Sequence, residues 1–262
     1  YVFHSDGVTE AWNGKEESLR RSGVRIFGPN ASAAQDLEPE FIAVSADGRR
    51  AWATLQENNA LAIIDVVGAR VEQVVALGYR DHNVAGHGFD ASDRDQRVNI
   101  RPWPVLGMYQ PDAIAAYTAQ GATYLVTANE GDPRDYAAYK EEVPVGTQLD
   151  PAIFTSARCG GSCAGDANLA RLMVTKALGM NAATGQWHTL YAFGTRSFSI
   201  WSADGRQLWD SGEELERRTS ALPMVQFNAG STGNSFDDRS DNKGPEPEGV
   251  VIGRLGSKTF AF

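Results

Sequence analysis

The residues of this chain best suited to chemistry are acids that recur in one context. Glu38-Pro39-Glu40-Phe41-Ile42, Gln110-Pro111-Asp112-Ala113-Ile114 and Glu246-Pro247-Glu248-Gly249-Val250 each place an acid after a proline and before an apolar run. Thr54-Leu55-Gln56-Glu57-Asn58 likewise resembles Thr127-Ala128-Asn129-Glu130-Gly131. The step from Glu40 to Glu57 is almost the same as that from Asp112 to Glu130, so two anchors repeat at matched spacing. Carboxylates brought together repel unless a cation lies between them. Oxygen-only ligand sets suit Ca²⁺ or Mg²⁺ rather than zinc. Glu40, Glu57, Asp112, Asn129, Asp132, Glu246 and Glu248 are therefore candidate ligands of Ca²⁺ or another divalent cation. The alternative is that these acids bond backbone N–H groups or stand in solvent.

Two further stretches have the acid density of calcium loops: Asp90-Ala91-Ser92-Asp93-Arg94-Asp95 and Asp237-Asp238-Arg239-Ser240-Asp241. Asp90, Asp93, Asp95, Asp237 and Asp241 are the candidate ligands there, with a solvated acidic loop as the alternative. Neither is an EF-hand: in the first, Gln96 replaces the glycine and Arg101 stands where the bidentate Glu belongs. His82 and His87 lack a third ligand at metal spacing and read as surface histidines. Arg196, among acids, could clamp a phosphate beside a metal, or simply form an ion pair. Arg134 is a weaker candidate of the same kind. No phosphate loop, dinucleotide fingerprint, zinc-protease or serine-hydrolase motif is present, and neither Ser197 nor Ser231 reads as an activated nucleophile. Any phosphoester cleavage would use metal-bound water, with Glu130 as general base.

The elements that would position these acids are short strands. Phe41–Ser45, Ala51–Leu55, Ala60–Val66 and Val71–Leu77 predict four antiparallel strands in close succession, with Ala46-Asp47-Gly48-Arg49 as a hairpin turn. That is the size of one β-propeller blade. Proline is tolerated at a strand's first residue, where its missing N–H costs no ladder bond. The step from Asp112 to Glu248 is close to twice that from Glu40 to Asp112, which leaves room for one more blade. Thr189–Phe193, Phe198–Trp201 and Gln207–Trp209 supply its expected strands. Tyr79–Trp103, Asn129–Asp166 and Phe227–Gly244 read as inserted loops, and Glu10–Gly23 as a short surface helix.

The expected fold is thus all-β: a β-propeller with about four blades visible and long inserted loops. Residues 1–262 form a single domain, or a fragment of a larger closed propeller incomplete at both ends. The 262 residues carry 42% hydrophobic residues, enough for a real core, and a formal net charge of −9. That balance argues against a nucleic-acid binder, which needs a basic face. No apolar run approaches the ~20 residues that span a bilayer. The two cysteines, Cys159 and Cys163, flank Gly-Gly-Ser and read as a small disulfide loop, or else as two free thiols. The disulfide would place the chain in an oxidising compartment.

Longer motifs carry a resemblance. Ile26-Phe27-Gly28-Pro29, Leu55–Leu61, Thr127–Asp132, Phe193–Trp201 and Phe236–Asp241 through Pro245–Val250 are similar to the choice-of-anchor I domain family. That family comprises secreted bacterial propellers and the mesenchyme-specific cell-surface glycoproteins of biomineralising animal cells. The resemblance implies a secreted, extracellular or periplasmic β-propeller, completed by further chain. Its bacterial members are often labelled alkaline phosphatase. Two functions are expected: a metal-dependent phosphoester hydrolase, or a non-catalytic calcium-binding propeller that engages extracellular matrix or mineral.

Overall fold

The computed structural model describes residues 12–223, 225–230 and 235–262. Near the start lie two short helices, α1 (Glu16–Arg21) and α2 (Ala33–Asp36). The helix expected over Glu10–Gly23 is thus shorter, and its first two residues lie outside the described residues.

The first sheet is an antiparallel meander of β1 (Pro39–Val44), β2 (Arg50–Leu55), β3 (Ala60–Asp65) and β4 (Arg70–Ala76), as the sequence predicts. Its β1–β2 turn is set by Asp47, which accepts from Ser45 Oγ at 2.7 Å and from the Arg49 amide at 3.1 Å. Gly48 follows at φ +70, a conformation that favours glycine. The central strands β2 and β3 read as near-continuous apolar runs because both faces are covered. On one face, Leu55, Ala62 and Val74 pack against Leu19, Val24, Ile26 and Leu37. On the other, Trp52, Leu61 and Ile63 pack against Ile114, Leu125 and Trp201. Fully burying side chains of this size contributes roughly 1.5–3 kcal/mol each.

The chain continues through β5 (Tyr79–Asp81) and β6 (Leu106–Met108) to β7 (Ile114–Ala119) and β8 (Ala122–Asn129). A long insert follows. It holds the hairpin β9 (Asp135–Tyr136) and β10 (Tyr139–Lys140), then β11 (Glu142–Pro144), α3 (Ser156–Cys159) and β12 (Met173–Thr175). A second hairpin, β13 (Met180–Asn181) and β14 (Gln186–Trp187), precedes β15 (Tyr191–Ala192). The chain then returns as β16 (Ser197–Ser202) and β17 (Gln207–Asp210), passes through α4 (Glu214–Ser220), and forms the hairpin β18 (Ile252–Leu255) and β19 (Lys258–Ala261).

The second sheet has the order β7-β8-β16-β17. β16 pairs antiparallel with β8 from Ser197↔Asn129 to Ser202↔Tyr124. This corrects the expected blade count. Phe198–Trp201 and Gln207–Trp209 do not start a sheet of their own; they complete the four-stranded sheet that β7 and β8 begin. β15 goes elsewhere, into a five-stranded sheet of order β11-β12-β15-β6-β5 whose β15–β6 pair is parallel. Sequence spacing could not reveal this, because pairing across an insert leaves no local signal. The insert shares a core with the β5–β6 connection: Leu169, Leu172, Trp187 and Leu190 pack with Phe89 and Trp103. Cys159 and Cys163 are disulfide-bonded within it, as expected.

The two four-stranded sheets lie with β1 beside β7, and β18 reaches the same strand. Trp52 Nε1 ties the pair by donating to the Ala203 carbonyl at 2.8 Å. Among the described residues, no helix is long and apolar enough to cross a membrane.

Candidate functional site

The three proline-flagged acids stand at the starts of neighbouring strands. Glu40 sits where the β1–β2 register slips between Pro39 and Ile42, a bulge that releases it from regular pairing. Asp112 precedes β7 and Glu248 precedes β18. Thr54 Oγ1 donates to the Asp112 carbonyl at 2.9 Å and accepts from the Phe41 amide at 3.0 Å, which joins the two strand starts. Burial, then the neighbouring Asp112, Glu38, Asp132 and Glu130, push the Glu40 carboxyl above the usual range. Burial, then Glu130, Glu248 and Asp132, do the same to Asp112. Glu40, Asp112, Glu130, Asp132 and Glu248 therefore form one electrostatic group.

A lysine already serves this rim. Lys243 is buried, and its Nζ lies 3.2 Å from Glu130 and 3.3 Å from both Asp132 and Glu246. Burial works against its charge, but Glu130, Glu246 and Asp132 outweigh it and hold the ammonium above the usual lysine range. Glu246 also pairs with Arg239, and Glu130 accepts from Gln56 Nε2 at 2.9 Å. Gly131 fixes the turn after Glu130. Its φ is +85, and a Cβ there would lie 2.0 Å from the Gly194 nitrogen. Lys243 was missed at the sequence level, although it is the one basic residue between Arg239 and Arg254, inside an acidic motif.

Of the remaining expected ligands, Asn129 faces elsewhere and Glu57 neighbours Glu40. Asn129 is buried in the second sheet, where its Nδ2 donates to Ser197 Oγ at 3.1 Å and Ser199 Oγ at 2.8 Å. Its Oδ1 accepts from Thr127. Glu57 lies in the buried β2–β3 turn with Oε2 unpartnered among the described residues. Burial, aided by Glu38 and Glu40, pushes its carboxyl up to about 7 against the pull of Arg134.

Arg196 is a structural anchor. Its Nη1 donates to Glu216 at 2.7 Å and to the Asp90 carbonyl at 2.7 Å. Its Nη2 donates to the Ser240 and Asn242 carbonyls at 2.8 and 2.7 Å, and its guanidinium stacks 4.4 Å from the Phe89 ring. Both terminal nitrogens are occupied, so of the two readings of Arg196 the ion pair is the one found, and a phosphate clamp has no free fork. Arg134 is likewise held, by Asp36 at 2.6 Å and against the Phe27 ring. Ser197 is buried in the second sheet, and Ser231 lies outside the described residues.

The two expected calcium loops meet. Asp90 and Asp95, from the β5–β6 connection, and Asp237, from the segment after α4, each offer a carboxylate oxygen, all within 4.8 Å of one another. Asp90 is 0% exposed and Asp237 is 2% exposed. Burial first, then Asp237 and Glu216, push Asp90 up to about 7 against the hydrogen bond it accepts from the Asn99 amide. Burial, then Asp95, Glu216 and Asp93, push Asp237 to about 7 against its bond from Ser240. The remaining loop acids are separately used: Arg171 grips Asp93 at 2.6 and 3.0 Å and reaches Asp241 at 3.1 Å. His82, expected at the surface, is buried. Its Nδ1 donates to the His87 carbonyl at 2.6 Å, and burial lowers its pKa to about 3.

A predominantly β chain of paired meanders, with acids at the strand starts, defines the class. The chain belongs to the choice-of-anchor I domain family, whose model matches residues 6–262. It is 27% identical over 268 residues to the mesenchyme-specific cell surface glycoprotein of Strongylocentrotus purpuratus, covering 90% of this chain and 34% of that protein. The chain thus spans about a third of the length of that curated relative. Among solved structures, hydrazine synthase of Kuenenia stuttgartiensis aligns with 69% of this chain and 39% of its own, at 11% identity and a TM-score of 0.23, too low to bear on fold or function.

Proposed function

We propose that this chain is an extracellular, non-catalytic domain, built as part of a β-propeller, whose acidic rim engages a cationic surface of matrix or mineral. The observation that carries the reading is the rim itself. Six acids (Glu40, Asp112, Glu130, Asp132, Glu246 and Glu248) gather at neighbouring strand starts against Lys243 and Arg239. The imbalance leaves negative potential at one end of the sheets, which suits fixed cations. The meander order, with β1 and β18 both against β7, supports the propeller reading. The disulfide and the cell-surface relative support an extracellular setting.

The hydrolase reading loses support at two points. Lys243 engages Glu130, the proposed general base, and Arg196 is committed to backbone carbonyls and Glu216. The test is cosedimentation of the purified domain with a calcium mineral, alongside a phosphoester turnover assay with Ca²⁺, Mg²⁺ and Zn²⁺. Adsorption should fall when Glu40, Asp112 and Glu248 become amides, and turnover should be absent. Metal-dependent turnover abolished by Glu130→Gln would overturn the proposal.

A further inference from the structure

We propose that Asp90, Asp95 and Asp237 form a Ca²⁺ site that fastens the β5–β6 connection to the segment after α4. This site is separate from the acidic rim, and neither depends on the other.

The argument begins with geometry. Calcium–oxygen distances of about 2.4 Å place ligand oxygens roughly 3–5 Å apart around one ion. The three carboxylates present oxygens within 4.8 Å of one another, although Asp237 comes from a segment far along the chain from Asp95. Two of the three are almost wholly buried. Three anionic carboxylates at such separation, shielded from water, repel strongly without a cation.

The second observation is an unmet bond. Among the described residues, Asp237 Oδ2 is buried without a hydrogen-bond partner, while Oδ1 accepts from Ser240 Oγ at 2.5 Å. Buried carboxylate oxygens are rarely left unpaired. Asn228, whose Nδ2 donates to the same Ser240 Oγ at 2.8 Å, also has a buried carboxamide oxygen with no partner among the described residues.

Among the described residues, the nearby cations do not meet this need. Arg196 is engaged by Glu216 and three carbonyls, and Arg171 by Asp93 and Asp241. Arg97 approaches Asp95 at 3.3 Å, but its side chain is 68% exposed, so it screens weakly. Asn99 orients the cluster, its amide donating to Asp90 Oδ2 at 2.5 Å and its Nδ2 to Asp95 Oδ2 at 2.9 Å. The donors are all oxygen, which excludes soft metals. Three carboxylates in one pocket suit Ca²⁺, since Mg²⁺ is usually held by one or two and keeps several waters.

The test is calorimetric titration of the chelated domain with Ca²⁺, paired with thermal melts in Ca²⁺ and in chelator. One Ca²⁺ should bind per chain and raise the melting temperature. Asp237→Asn should weaken binding about ten-fold or more, since affinity follows ligand charge. It should lower the melting temperature in Ca²⁺ while leaving it unchanged or higher in chelator, where it relieves repulsion. Should that variant fold poorly, Asp95→Asn serves, and a rim variant, Glu248→Gln, should keep full affinity. A folded domain that binds no Ca²⁺ at millimolar concentration would overturn the proposal. So would variants that lose stability equally with and without Ca²⁺.

Discussion

Lys243 reaches Glu130 at 3.2 Å across 113 residues of sequence, bringing the segment after α4 onto the turn that follows β8. The same ammonium meets Asp132 and Glu246. The segment carrying it is held by Arg196 through the Ser240 and Asn242 carbonyls. One arginine thus positions the lysine that offsets the rim.

Lys243→Met should therefore destabilise the domain. Removing one partner of a buried ion pair costs about 3–5 kcal/mol, and partial solvation of Asp132 and Glu246 reduces this to roughly 1–3 kcal/mol. Urea denaturation reads the loss, and added salt should recover part of it. An unchanged midpoint would mean that solvent already neutralises the rim.

Arg196→Lys should be nearly as damaging as Arg196→Met. The lysine keeps the charge but cannot span Glu216 and three carbonyls with a planar fork. A loss of about 2–4 kcal/mol is expected for both. A near-neutral lysine variant would show that charge alone suffices.

Glu57 sets a pH slope. Its carboxyl is raised to about 7 in the folded state, chiefly by burial, with Glu38, Glu40 and Arg134 as its charged neighbours. The folded state then binds more protons than the unfolded one between about pH 4.5 and 7. Its contribution to stability is greatest below the unfolded pKa and falls as pH rises to about 7, then stays lost. Glu57→Gln should flatten that slope and stabilise the domain at pH 8 by about 1–3 kcal/mol. Melting temperatures at pH 5 and pH 8 compare the two proteins. A parallel pH dependence would disprove the assignment.

Replacing Cys159 and Cys163 by serine should cost about 2 kcal/mol in the chain-entropy account, because the loop they close is short. Both sulfurs lie in the insert's core, so native protein should show no titratable thiol and should resist mild reductant. Rapid reduction of the folded protein would show that the insert opens locally.

The first sheet was legible because all its signals are local. Four apolar runs, each separated by turn residues, name their neighbours, and Asp47-Gly48 marks the first hairpin. The rim was legible through repetition: Glu40, Asp112 and Glu248 share a proline and a following strand. The second sheet was not, since β8 finds β16 only after the whole insert, and no periodicity reports pairing at that distance. Lys243 and the meeting of Asp237 with Asp90 escaped for the same reason. For Arg196 the sequence left phosphate clamp and ion pair both open, because a motif shows residue type but not which carbonyls fold around it.

The split second sheet also governs the order of assembly. As the chain emerges, β8 is made with one edge unpaired, and its partner strand arrives only once the whole insert has followed. Until then an apolar strand edge stands open to pairing with other chains. Closure over so long a span makes this sheet the slow, non-local step of folding, after the local meander of β1–β4. Chaperone protection, and losses to aggregation on refolding, should concentrate in that interval.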